Sequence, residues 1–300
     1  MIYDLIVVGL GPAGVSAAIY AKRAGLKVLC LEKSMIGGYL NYIDRIDNYP
    51  GLYGISGPDF AFSLYDTISK MDISYKNKEV LSINNGEIKE VVTNDEKYLC
   101  KNVILSTGRS PRKIGIDKEQ DLYGKGISHC ALCDGAFYKD KVVAVVGGGN
   151  SALQEALYLS NICKEVYLIH RKEHYRVNGQ AVDNINKKSN IVQLLGKNVS
   201  KLIENDNKLS AIILDDGKEI LVDGLFIYIG FEPNTRFIEN LNIVNKDGYI
   251  EVNKYFETEE KGIYAVGDIV KKDIYQISTA VNDGVIAATN VIEKFNEGVN

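Results

Sequence analysis

Cysteine is scarce in this chain. Five in 300 residues is an odd and sparse set; it excludes a secreted disulfide scaffold and points to a reducing compartment. A basic excess is missing as well. Lysine and arginine number 35 against 39 aspartates and glutamates, a net charge of −4, which speaks against a nucleic-acid binder working mainly by charge. Low-complexity segments are absent. The one stretch apolar enough to pass for a leader or membrane helix, Leu5 to Ala21, has no basic segment before it, and Gly9, Gly11, Pro12 and Gly14 interrupt it. The expectation is a cytoplasmic protein without membrane contact. What remains is ordinary for a globular protein, 46% apolar and 25% charged. At roughly 150 residues per domain, the length predicts two domains, each able to bury a core.

An internal repeat gives those domains a character. Tyr3 to Lys33 reads as strand, glycine-rich turn, helix from Pro12 to about Ala24, Gly25 as a stop, strand and acidic residue. Val142 to Lys172 reads almost the same way, with Gly147-Gly148-Gly149 at the turn, a helix from Ser151 to about Asn161 and a strand from Glu165. Gly9 stands 23 residues before Glu32 and Gly147 stands 23 before His170 (32 − 9 and 170 − 147). Two βαβ units of this kind predict an α/β protein with two nucleotide-binding domains. Lys78 to Gly108 and Ile191 to Gly230 read as β-meanders, the second turning at Asp215-Asp216-Gly217. A strand at Gly262 to Val266 and a helix from about Thr279 to Phe295 complete the chain, with candidate hinges at Ser110-Pro111-Arg112 and Glu232-Pro233-Asn234.

The turns carry chemistry. In Gly9-x-Gly11-x-x-Gly14 the glycines permit a tight bend and let a pyrophosphate approach a helix N-terminus. Glu32, ending the next strand, is placed to accept hydrogen bonds from ribose hydroxyls. In the second copy, Gly147-x-Gly149-x-x-Ala152, the corresponding place holds His170-Arg171-Lys172, with Arg176 four residues beyond Lys172. Cations there suit a 2′-phosphate, so the second turn reads as an NADPH site, the plainer reading being a solvated basic loop. Cys130-Ala131-Leu132-Cys133 supplies either a redox disulfide or half of a zinc site. Zinc needs two further ligands, and Cys30, Cys100 and Cys163 sit on core elements at no ligand-like spacing. A thiol–disulfide couple followed by Asp134 as proton donor or acceptor is the better fit, with no metal.

Together, GLGPAG at Gly9 to Gly14, STG at Ser106 to Gly108, CALCDG at Cys130 to Gly135, GGGNSA at Gly147 to Ala152, HRKEHYR at His170 to Arg176 and YAVGD at Tyr264 to Asp268 resemble the low-molecular-weight flavoprotein thioredoxin reductases over essentially the whole chain. The resemblance implies two Rossmann-like domains, the second inserted into the first, in a homodimer. A split FAD domain would occupy residues 1–113 and 237–300, and an NADPH and disulfide domain residues 114–236. Gly9, Gly11, Gly14 and Glu32 would hold the adenosine half of FAD, with Pro12, Lys33, Gly38, Tyr39, Thr107, Gly108 and Gly267 around it. Asn48 would lie near the flavin, Asp268 at the ribityl-phosphate region and Gln276 at the isoalloxazine edge. Gly147, Gly149, Asn150, Ser151, Ala152, His170, Arg171, Lys172 and Arg176 would hold NADPH. Cys133 would face the flavin, Cys130 would attack the disulfide of thioredoxin, and the insert would rotate between two orientations.

Five positions depart from the family's usual pattern. Lys172 replaces an arginine and loses its bidentate fork. Tyr275 also stands where arginine is usual, Tyr39 replaces glutamine, Leu132 replaces threonine and Arg109 follows the STG turn where a small residue is common. Tyrosines stacked on a flavin would shut out a nicotinamide, so reduced ferredoxin is the alternative electron donor. The intact GGGNSA and the Arg171, Lys172, Arg176 cluster favour NADPH.

Overall fold

A run of seven residues, IYDLIVV, whose last four are buried, is the mark of a strand covered on both faces in a parallel sheet. In the computed structural model, which describes residues 1–43 and 45–297, that run is β1 (Ile2–Val8). It is followed by α1 (Pro12–Arg23), β2 (Val28–Glu32), α2 (Gly57–Lys70), β3 (Tyr75–Asn77), β4 (Val80–Asn84), β5 (Lys89–Thr93), β6 (Lys97–Leu105) and β7 (Arg109–Pro111). Next come β8 (Ile127–Ser128), α3 (Ala131–Asp134), β9 (Val142–Val146), α4 (Asn150–Ser160), β10 (Glu165–His170) and α5 (Gln180–Asn186). Then follow β11 (Ile191–Leu195), β12 (Val199–Asn205), β13 (Lys208–Leu214), β14 (Glu219–Leu221), β15 (Gly224–Ile227), β16 (Phe231–Pro233), β17 (Ile263–Ala265) and α6 (Ile277–Glu297). Residue 300, the end of the expected flavin domain, lies outside the described residues.

The chain divides into two compact units, Met1–Ser110 with Glu232–Asn300, and Pro111–Phe231. In the first, seven strands form one sheet in the order β3-β2-β1-β6-β5-β4, with β17 also on β6. β1 is parallel to β2 and β6, while β4, β5 and β6 make the antiparallel meander. In the second, a parallel sheet runs β11-β10-β9-β15-β8 beside a three-stranded sheet β12-β13-β14. The turn joining β13 to β14 is the Asp215-Asp216-Gly217 segment, with Gly217 at φ +83.

Both sheets reverse their winding at the parallel strand that precedes the glycine turn: β1 has β2 on one side and β6 on the other, and β9 has β10 and β15. Such switch points open a crevice at the carboxyl ends of the strands, where ligands of α/β proteins bind. Helix packing fixes the first turn. A Cβ on Gly14 would stand 2.0 Å from Gly9 O, and one on Gly284 of α6 would stand 2.1 Å from Ala13 O, so α1 lies tight against both the turn and α6.

A buried carboxylate of the second unit has one oxygen without a partner among the described residues. On α4, Glu155 Oε2 is buried with no hydrogen-bond partner among the described residues, and burial pushes its carboxyl up to about 7. An acid raised in the folded state favours the fold below its ordinary value of 4.5. That contribution is lost as pH climbs from there toward 7. Glu155→Gln is therefore expected to match the wild type in stability at pH 4 and to exceed it at pH 8, by about 1–3 kcal/mol. Thermal melts at the two pH values check this; an equal change at both would refute it.

Candidate active site

The first turn is built from backbone. Gly9 adopts φ +95, and a Cβ on it would meet Ser106 O at 2.6 Å, so the residue must be glycine to lie against the end of β6. Gly11 is different. Its φ of −73 suits any residue, and a Cβ there would have only Gly37 O within reach, at 4.0 Å. Nothing in the folded chain requires glycine at that place, which is what a position reserved for close approach of a phosphate looks like. Opposite, Gly37 N donates to Leu10 O at 2.7 Å, and a Cβ on Gly38 would sit 3.6 Å from Gly11 Cα. The N-terminus of α1, with Pro12 in its first turn, has neither a side-chain cap nor an acidic residue in that turn, leaving N–H groups available to an anion.

Glu32 is only 8% exposed. Its Oε2 accepts from Leu10 N at 2.7 Å, and its Oε1 accepts from Ser34 N at 2.9 Å and Ser34 Oγ at 3.3 Å. A carboxylate offers about four acceptor positions, so Oε2 keeps one for a ribose hydroxyl. The neighbouring Lys33 is exposed and pairs with Glu79 at 3.5 Å. Tyr39 is exposed, its ring 5.9 Å from that of Tyr42.

Two positions that sequence analysis singled out separately meet in the same unit. The Arg109 guanidinium lies 3.7 Å from the Tyr275 ring centroid and pairs with Asp268 Oδ2 at 3.0 Å. Asn48 Nδ2 donates to Gln276 Oε1 at 2.9 Å, and Thr107 Oγ1 donates to Asn234 O at 2.8 Å. Gly108 takes φ +62 with open space around it. Sequence reasoning missed Asp283. This buried carboxylate of α6 accepts from Gly267 N at 3.0 Å and pairs with Lys272 at 2.5 Å, so it holds the turn that presents Asp268. The signal available was one acid among the small residues Ala280, Gly284, Ala287 and Ala288.

The second turn repeats the first in the other unit. A Cβ on Gly147 would meet Tyr228 O at 2.3 Å and Ala152 Cβ at 2.7 Å, whereas one on Gly149 would meet nothing within 4 Å. Gly149 sits at φ −101, so it too is glycine for no reason internal to the fold. Asn150 and Ser151 open α4, exposed, without a side-chain cap or an acid in the first turn. Arg176 N donates to Gly148 O at 2.8 Å, drawing the basic loop up to the turn. Arg171, Lys172 and Arg176 are exposed, and none makes an ion pair among the described residues. His170 plays another part from these cations. It is buried, its ring fills the space over Gly148 and stacks on Tyr175 at 6.0 Å. Burial, then the charges of Arg176, Arg171 and Lys172, hold its pKa below the usual value.

Cys130 and Cys133 form a disulfide with Cα atoms 5.3 Å apart. Cys130 is half-buried and caps α3, its Sγ accepting from Cys133 N at 3.1 Å; Cys133 is exposed. Cys130 N donates to Ser128 Oγ at 2.9 Å, Ala131 N to Tyr228 Oη at 2.7 Å, and Asp134 N to Cys130 O at 3.1 Å. The Asp134 side chain is half-buried. The other cysteines are of another kind. Cys30, Cys100 and Cys163 are buried and unpaired, and burial pushes their thiols up to about 12, 12 and 11, which makes them inert beside the exposed pair. Among the described residues no group of His, Cys, Asp and Glu is arranged to hold a metal, and no helix is long and apolar enough to cross a membrane.

A redox disulfide beside a dinucleotide turn, with a second such turn in the other unit, is matched by the family model for pyridine nucleotide-disulphide oxidoreductases across residues 3–284. The chain belongs to that family. Within it, the chain is 40% identical to the thioredoxin reductase of Mycoplasma pneumoniae over 97% of its own length and 95% of that protein's. It is 38% identical to the thioredoxin reductase of Bacillus subtilis, over 97% of this chain and 94% of the other. Among solved structures it superposes on Lactococcus lactis thioredoxin reductase with a TM-score of 0.86 at 33% identity, covering 98% of this chain and 99% of that one. The fold is α/β, with the two dinucleotide-binding domains of these oxidoreductases.

Proposed function

We propose that this chain is a thioredoxin reductase that takes electrons from NADPH and passes them through bound FAD and the Cys130–Cys133 disulfide to thioredoxin. The observation that carries this reading is the solvent-accessible disulfide in one unit with an uncapped dinucleotide turn and three cations that have no carboxylate partner among the described residues. The unit Met1–Ser110 with Glu232–Asn300 would hold FAD, at Gly9, Gly11, Gly14, Glu32, Gly38 and Asp268. The unit Pro111–Phe231 would hold NADPH, at Gly147, Gly149, Asn150 and Ser151, with its 2′-phosphate on Arg171, Lys172 and Arg176. FAD, when bound, supplies the two-electron relay between a nicotinamide and a disulfide. Residence in the cytoplasm and assembly as a homodimer complete the proposal.

The chain's own groups perform the thiol chemistry. Once the pair is reduced, the Cys130 thiolate attacks the disulfide of thioredoxin. A Cys130–thioredoxin S–S bond forms, the thioredoxin S–S bond breaks, and its leaving sulfur takes a proton from Asp134. Cys133 passes its proton to Asp134 and attacks Cys130 Sγ, which re-forms the intramolecular disulfide, and the departing thioredoxin sulfur takes up that proton as the second thiol. Two electrons and two protons have moved. Cys133 N, 3.1 Å from Cys130 Sγ, favours the anionic form of the attacking sulfur.

Anaerobic addition of two equivalents of NADPH to the yellow protein, one for the disulfide and one for the flavin, is expected to bleach its visible flavin band within seconds. A band that NADPH leaves intact and reduced ferredoxin bleaches would overturn the choice of donor. Replacing Arg171, Lys172 and Arg176 together by alanine is expected to raise KM for NADPH by about 30-fold or more and to leave that for NADH nearly unchanged. Initial rates with the two nucleotides measure this, and an equal loss for both would count against a 2′-phosphate site.

A further inference from the structure

Tyr228 occupies in the second unit the place that Ser106 occupies in the first. Each is the residue that follows the strand across the switch point, β15 and β6, and each backbone carbonyl lies where the Cβ of the first turn glycine would otherwise be, Gly147 and Gly9. Their amide groups also correspond: Tyr228 N donates to Val146 O at 2.7 Å, and Ser106 N to Val8 O at 2.8 Å. The side chains differ. Ser106 Oγ turns back onto its own turn, donating to Val8 O at 2.9 Å and Gly9 O at 2.8 Å. Tyr228 instead reaches out, and its phenol oxygen accepts from Ala131 N at 2.7 Å.

Ala131 is the first residue of α3 and is wholly buried, so its N–H needs a partner within the protein. Cys130 Sγ, as the cap, accepts from Cys133 N, and Ser128 Oγ accepts from Cys130 N. The other end of the segment is fixed by contact: a Cβ on Gly135 would meet Tyr158 at 3.1 Å and Leu159 at 3.2 Å, both on α4. Tyr228 is thus the side chain that ties the Cys130 end of α3 to the strand carrying the second turn. Its own backbone is locked by Val146 and Gly147, which makes the hydroxyl a fixed post.

We infer that the Tyr228 hydroxyl is a positioning group for the Cys130–Cys133 pair, holding α3 so that Cys133 N stays directed at Cys130 Sγ and the reduced, thiolate form is favoured. The inference rests on the proposed reading of that pair as the working disulfide. A thiolate accepts a hydrogen bond more strongly than a disulfide sulfur does, so an N–H held at 3.1 Å favours the reduced state. Loosening α3 weakens that preference and makes the disulfide harder to reduce.

The test is the thiol–disulfide equilibrium of the full-length, flavin-loaded protein in buffers of reduced and oxidised dithiothreitol, quenched by alkylation and read by mass at Cys130 and Cys133. Tyr228→Phe is expected to need about a threefold to tenfold higher ratio of reduced to oxidised dithiothreitol at its midpoint, tenfold corresponding to about 30 mV. In a Cys133→Ser background, Tyr228→Phe is expected to slow alkylation of Cys130 at pH 7 by a similar factor. Tyr167→Phe, which removes a phenol on β10 elsewhere in the unit, is expected to leave the midpoint where it is. A Tyr228→Phe midpoint equal to the wild type's, with or without a lower melting temperature, overturns the inference. A wild-type pair that fails to open and close reversibly overturns the proposed function and this inference with it.

Discussion

Cys133→Ser is expected to reduce thioredoxin turnover to background while its flavin is still bleached by NADPH as fast as in the wild type. The separation follows from the chemistry of the pair. Thiol–disulfide exchange needs both sulfurs, one to attack the partner's disulfide and one to resolve the mixed disulfide, whereas delivery of electrons to the flavin uses neither. Cys30, Cys100 and Cys163 cannot substitute, since each is buried with its thiol pushed up to about 11 or 12. Stopped-flow absorbance for the flavin and a thioredoxin-dependent assay for turnover give the two readouts. Loss of flavin bleaching in the variant would contradict the order assigned to the two half-reactions.

The second large effect concerns glycines that the fold does not need. Gly149→Ala is expected to leave the melting temperature unchanged or raise it slightly, by up to about 1 kcal/mol, because alanine restricts the unfolded chain at a φ it tolerates. The same change is expected to raise KM for NADPH by about 30-fold, the cost of losing a backbone–phosphate hydrogen bond, with flavin content unaltered. Gly11→Ala is the mirror case, with flavin lost on purification and nucleotide binding retained. Gly14→Ala makes the contrast, because its Cβ would stand 2.0 Å from Gly9 O and must disturb α1 itself. Melting curves, flavin content and nucleotide kinetics for the three variants decide the matter. A Gly149→Ala protein that melts low and keeps its KM would make that glycine a structural one.

These contrasts mark what was legible in the sequence. The repeat was, because a strand-to-helix turn of this kind places glycine at Gly9 and Gly147, each at positive φ, and a ligand is the remaining reason for Gly11 and Gly149. The disulfide was, because two thiols three residues apart either pair or bind metal. Contacts between residues distant in the chain were not. Arg109 and Tyr275 drew attention singly, yet nothing in composition or spacing brings a guanidinium 3.7 Å from that ring. Asp283 was hidden for a related reason: one partner, Gly267 N, is a backbone group that leaves no residue type to read, and the other, Lys272, stands 11 residues away with nothing in the spacing to join them. His170 was grouped with its cationic neighbours by adjacency, but it ends β10 with its ring over Gly148, while Arg171 and Lys172 lie beyond the strand.

The most direct measurement places the electrons. Protein mixed anaerobically with two equivalents of NADPH, alkylated without unfolding and mapped by mass, is expected to carry label on Cys130 and Cys133 and on none of Cys30, Cys100 and Cys163. Consumption of both equivalents of NADPH with the Cys130–Cys133 bond still closed would contradict the account.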